Sequence, residues 1–115
     1  MVRAHEVIGK INKKEFSKRL SGLSEKDIEI TSHTLFRLNE NQRKVYEEKV
    51  LQGFLLNKSP LEIHEQRNGN YAVFYEFNEK RVLKILIKFN FKKIYIVTFY
   101  ILNREQMEEL KNGRK

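Results

Sequence analysis

The chain contains no cysteine. Disulfides, thiolate zinc centres and cysteine nucleophiles are therefore excluded, and the composition fits a reducing, cytoplasmic setting. The three histidines, His5, His33 and His64, stand in no metal-ligand spacing and beside no carboxylate cluster, so no metal is expected. No glycine-rich phosphate loop occurs, which argues against nucleotide hydrolysis, and no Gly-x-Ser-x-Gly elbow is present. No cofactor is expected. Proline occurs once, at Pro60, and no stretch reads as a linker, a repeat or a low-complexity segment. The N-terminus has no uninterrupted apolar run of the signal-peptide kind. The apolar segments near the C-terminus carry lysines and are too short to span a bilayer as helices. No membrane role is expected.

What is present is a chain of 115 residues, 40% hydrophobic, enough for one folded domain with one modest core. Its net charge is +8. Acidic residues are missing from the span Lys80–Arg104, which holds Lys80, Arg81, Lys84, Lys88, Lys92, Lys93 and Arg104. Those seven cations, taken from +8, leave +1 for the rest of the chain. A positive field confined to one segment favours a polyanion partner, most commonly nucleic acid, over a merely solubilising surface.

Periodicity predicts helices first and strands after. "NKKEFSKRLSGL" reads as a helix capped by Asn12, with Glu15 in its first turn, Phe16 and Leu20 on one face and Gly22 as terminator. "HEVIGKI" fits a short strand or coil, and "SEKDIEIT" a connection with an extended end. Thr31 or Ser32 caps a short helix through Leu38. "RKVYEEKVLQG" forms the next helix, with Val45, Tyr46 and Val50 inward and Gly53 at its end. After Pro60 the period becomes two. "LEIHEQR" and "YAVFYEF" flank Asn68-Gly69-Asn70, a strong hairpin signal. "RVLKILIKF" and "KKIYIVTFYIL" follow, and "NREQMEELK" reads as a short tail helix. The expected fold is α+β: N-terminal helices packed on one face of a four-stranded antiparallel meander, with a short C-terminal helix. We expect a single domain over 1–115, with a helix-bearing N-terminal extension at 1–27, a core at 28–102 and a tail at 103–115.

Alternation assigns Leu83, Ile85, Ile87 and Phe89 to the core face and Val82, Lys84, Leu86 and Lys88 to the open face. In the last strand Tyr95, Val97, Phe99 and Ile101 alternate with Ile94, Ile96, Thr98 and Tyr100. A three-residue turn at Asn90-Phe91-Lys92 then pairs Phe89 with Lys93, and sets Lys84 opposite Thr98 and Val82 opposite Tyr100.

Within "SHTLFRL", His33 and Arg37 lie about 40° apart on a helix, on the side away from Leu35 and Leu38. Two readings stand: a solvated polar face with a capping histidine, or an imidazole beside a guanidinium. The second supplies a proton-transfer group and a bidentate phosphate ligand, the parts that metal-free RNA cleavage needs. His64 shares a strand face with Glu62 and Gln66. It is a second proton-transfer candidate, or more simply a surface histidine.

"ITSHTLFRLNENQRKVYEEKVLQG", with its His-x-x-x-Arg helix, second helix ending near a glycine, and final strand "IYIVTFY", resembles the barnase–EndoU–colicin–RelE superfamily over about residues 28–102. That resemblance implies a metal-independent, toxin-type endoribonuclease and points to His33, Arg37 and Thr98 as catalytic; Lys84, on the basic open face, joins them as a phosphate ligand. Lys84, Lys88, Lys92, Lys93, Tyr100 and Arg104 would bind RNA. It also implies RNA, free or on the ribosome, as partner, together with an antitoxin or a second copy of the chain. The alternative is a non-catalytic nucleic-acid-binding module in which Tyr71, Tyr75 and Tyr100 stack bases while lysines hold phosphates. A third reading is a protein-interaction domain whose basic sheet docks an acidic partner.

Overall fold

A computed structural model describes residues 7–30, 38, 40, 42 and 48–105. Six strands form one sheet: β1 (Val7–Lys10), β2 (Ile28–Ile30), β3 (Glu62–Gln66), β4 (Tyr71–Asn78), β5 (Arg81–Asn90) and β6 (Lys93–Asn103). Their spatial order is β1-β3-β4-β5-β6-β2. Helices α1 (Lys13–Leu20) and α2 (Glu48–Asn57) and a 3-10 turn at Glu25–Asp27 complete the described elements.

The four-stranded meander with helices on one face is therefore corrected to a six-stranded mixed sheet. Short segments from the N-terminal half add a strand to each side. β1 pairs antiparallel with β3, and β2 runs parallel to β6, with Ile28 opposite Ile94 and Ile30 opposite Ile96. Strands of three or four residues are too short to show a period of two against their surroundings, and their pairing rests on distant partners. The side chain of Gln52 on α2 fixes the start of β2: its Nε2 donates to the carbonyls of Glu25 and Ile28, each at 3.0 Å.

α1 forms where its cap predicts. Asn12 accepts from the Lys14 N–H at 2.7 Å, and Phe16 is the residue it buries. α2 departs from expectation. It continues past Gly53 to Asn57, and Val50 is exposed while Leu51 and Leu55 face the core. Packing of Leu51 and Leu55 outweighs the modest helix penalty of one interior glycine.

Both sheet faces are packed. On the first, Phe16, Leu51 and Leu55 cover Val73, Leu83, Ile85, Ile87 and Phe99. On the second, Ala72, Phe74, Val82 and Leu86 form a smaller buried cluster with Leu61 and Leu102. The face expected to be open thus holds an apolar patch of its own.

The β5–β6 register also differs from expectation. Asn90 pairs with Lys93, so the loop is two residues, Phe91 and Lys92, and Phe89 faces Ile94. A shift between Leu86 and Ile87 then skips Val97, and Lys84 faces Tyr100 while Leu86 faces Thr98. The two-residue loop puts Ile94 and Ile96 on the core face, and the extra residue at Val97 keeps Phe99 and Ile101 there too. Without that bulge the second half of β6 would present Thr98 and Tyr100 to the core.

Candidate nucleic-acid interface

The second face carries the polar side chains that β3, β5 and β6 alternate away from the core. Lys84 lies between Phe74 on β4 and Tyr100 on β6, its direct neighbours across both ladders. Its Nζ sits 5.7 Å from the Phe74 ring centre and 5.9 Å from that of Tyr100. Two ring faces attract the ammonium without neutralising it. Half-burial pushes the Lys84 ammonium below the usual lysine range. Lys88 follows four residues on, on the same face, exposed and opposite Tyr95.

A second group lies across β4. Glu62 Oε1 accepts from Lys10 Nζ and His64 Nε2, each at 3.0 Å. An ionised carboxylate only accepts, so His64 holds a proton on Nε2. The His64 ring packs 4.8 Å from that of Phe74. Burial by itself would raise the Glu62 carboxyl. The hydrogen bonds from His64 and Lys10, with the charge of Lys10, more than offset this and hold it below its ordinary value. His64 shares the face of Glu62, but it is 2% exposed, a core histidine rather than a surface one. Its place is structural: it hydrogen-bonds a half-buried carboxylate.

The charges on this face balance unevenly. Glu62 is met by Lys10, Glu76 by Arg104 at 3.6 Å, and Glu29 by Lys93 at 3.4 Å. Lys84, Lys88 and Lys92 have no carboxylate partner among the described residues. The three follow β5 toward the β5–β6 loop, so the uncompensated charge forms a strip rather than a scatter.

Other expected site residues fall elsewhere. Thr98 is not opposite Lys84; its Oγ1 lies 3.4 Å from Gln42 Nε2, and Gln42 also donates to the Phe99 carbonyl. These contacts fasten the β6 edge that β2 does not reach. Arg104 donates from Nε to the Glu79 carbonyl at 2.6 Å, bracing the β4–β5 turn instead of joining the lysine strip. Tyr75, expected at the surface, is in the core, where burial pushes its phenol well above the ordinary range. Tyr71 is half-buried on the helix side, where its hydroxyl accepts from Arg19 at 3.1 Å. Arg19 also lies 3.8 Å over the Phe89 ring. Tyr100 alone of the three tyrosines is exposed, at 41%. His5, His33 and Arg37, and the tail from 106, lie outside the described residues.

Sequence reasoning put Glu62 and His64 on one strand face but missed Lys10, which the β1–β3 pairing sets opposite His64. It also missed Phe91, which it counted as a turn residue.

Among the described residues no group of three His, Asp or Glu side chains could hold a metal ion. Nor is any helix among them long and apolar enough to cross a membrane. No curated protein and no solved structure matches the chain. Residues 14–87, from α1 to within β5, match the MJ0788 family, and the chain belongs to that family.

Proposed function

We propose that this domain binds RNA through the second face of its sheet, along the strip from Lys84 to the β5–β6 loop. The observation that carries the reading is the set of three lysines that have no carboxylate partner among the described residues, Lys84, Lys88 and Lys92, with the exposed Tyr100 beside Lys84. Uncompensated cations in a row attract a phosphate backbone and release its counterions, and a tyrosine among them offers a ring for a base. Lys84 suits the role because two rings hold it in place, so less freedom is lost on binding.

Binding without cleavage is the reading the described geometry supports best. His64, the described histidine, is buried and engaged with Glu62, so it reaches no substrate. Cleavage would rest on His33 and Arg37. A cytoplasmic setting, where RNA meets a cysteine-free chain, goes with this function.

Competition tests it. A labelled RNA should bind the wild-type protein and bind at least tenfold more weakly after Lys84→Gln with Lys88→Gln. An excess of polyglutamate should displace the RNA only weakly at moderate salt. Tight polyglutamate binding with no RNA binding would replace this reading by docking to an acidic protein.

A further inference from the structure

The tip of the β5–β6 hairpin is built against its own folding preference. Asn90 pairs with Lys93, which leaves Phe91 and Lys92 as the loop. Phe91 has φ 56° and is the described non-glycine residue with positive φ. A two-residue hairpin loop with positive φ at its first position is a glycine site, with asparagine the next best choice. The chain meets the same demand conventionally at the β3–β4 turn, where Gly69 takes φ 89°. At position 91 a β-carbon is crowded against the backbone, and a bulky aromatic is the least expected occupant.

Burial does not compensate. Phe91 is 100% exposed, and among the described residues no ring or cation contact involves it. An aromatic held in a disfavoured backbone conformation, with both ring faces in water, does nothing for the free fold. Its neighbours are Asn90, Lys92 and Lys93, all exposed, and Lys88 precedes it on β5.

We infer that Phe91 is a stacking platform for an unpaired nucleobase, and hence that the strip takes single-stranded RNA. The inference rests on the RNA-binding reading and deepens it. A free ring needs a free π-face of similar size, and a base in a duplex has both faces already stacked. Lys88 precedes Phe91 by three residues on β5 and Lys92 follows it in the loop, so cations lie on both sides of it along the chain to meet the phosphates next to a stacked base. The charge therefore complements a nucleotide and not merely an apolar surface. A membrane is the poorer fit: the loop offers one apolar side chain, and shallow insertion of a single ring gives marginal binding.

The test compares Phe91→Asn, Phe91→Tyr and the Lys84→Gln/Lys88→Gln pair on three ligands. These are a single-stranded RNA with one 2-aminopurine, the same strand annealed to its complement, and anionic phospholipid vesicles. Stacking predicts that Phe91→Asn weakens single-strand binding about tenfold and abolishes the 2-aminopurine quenching. Duplex binding should be nearly unchanged, and Phe91→Tyr should retain both signals. Because asparagine suits the backbone better, Phe91→Asn should also raise Tm by a few degrees. Single-strand affinity and quenching that survive Phe91→Asn but not the lysine pair would overturn the stacking role and leave RNA binding standing. No RNA binding by the wild type would remove both. Vesicle binding lost in Phe91→Asn, with RNA binding intact, would overturn the nucleobase in favour of a lipid surface. A lower Tm for Phe91→Asn would show that the ring serves the fold, which also overturns the inference.

Discussion

The two faces of the sheet are made from the same strands and differ in what they can tolerate. The helix-covered face is continuous and apolar, with Ile85, Ile87, Ile94, Ile96 and Phe99 fully buried. The other face has a small apolar centre of Ala72, Phe74, Val82 and Leu86, and charged groups stand around it. Lys84 and Ile85 are adjacent in sequence and face opposite ways, so one residue step separates a core position from a proposed ligand position. The first face is built for stability. The second gives up part of its apolar area to hold cations in fixed places, which is what an interface for a polyanion requires.

That contrast can be broken by mutation, and the largest effect should come from the first face. Ile85→Ala should cost roughly 2–5 kcal/mol in denaturant unfolding, because it leaves a cavity that the surrounding strands cannot close. Leu86→Ala should fall at or below the low end of that range, since its cluster is small. Equal costs would mean that both faces are full cores.

Next in size is the Glu62 group. Glu62→Gln should destabilise by about 1–3 kcal/mol at neutral pH, since Lys10 and His64 lose their charged acceptor. The folded-state carboxyl lies below its unfolded value of 4.5, so its stabilisation is complete above pH 4.5. It is lost as pH falls through the folded value. A pH series of unfolding curves should therefore show wild type and Glu62→Gln converging in acid. Parallel curves down to the acid limit would contradict the assignment.

Smaller, and opposite in sign, is Tyr75→Phe. The Tyr75 hydroxyl is buried with no hydrogen-bond partner among the described residues. Removing it should be neutral or should stabilise by up to about 1 kcal/mol, measured as a rise in the denaturant midpoint. A clear loss of stability would show that the hydroxyl has a partner.

How far the sequence disclosed this arrangement depends on distance along the chain. The Asn12 cap, the Asn68-Gly69 turn and the period of two in 81–90 are local signals, and the structure follows them. Leu83, Ile85 and Ile87 face the core as alternation predicts. The edge strands were not legible, because four and three residues give too little pattern and their partners lie tens of residues away. The β6 bulge was hidden for a related reason. "IYIVTFYIL" is apolar at nearly every position, so its alternation fits either face, and only burial of Ile94 and Ile96 together with Phe99 reveals the skipped Val97. Of the expected site, Lys84, Lys88, Lys92 and Tyr100 lie along the second face and its β5–β6 loop. Thr98 and Arg104 have other structural work, which no spacing rule could show, because their partners Gln42 and Glu79 are set by the fold.

The central claim is that the uncompensated lysines of the second face hold RNA phosphates. The measurement closest to it is the salt dependence of affinity for a single-stranded RNA, taken between low and physiological salt. Each phosphate contact adds about 0.7 to the slope of log affinity against log salt for a single strand. Replacing Lys84 and Lys88 with Gln should therefore reduce that slope by roughly 1.4, while the unfolding midpoint changes little. A wild-type slope that the double variant leaves unaltered would contradict the account and move the RNA contacts off this face.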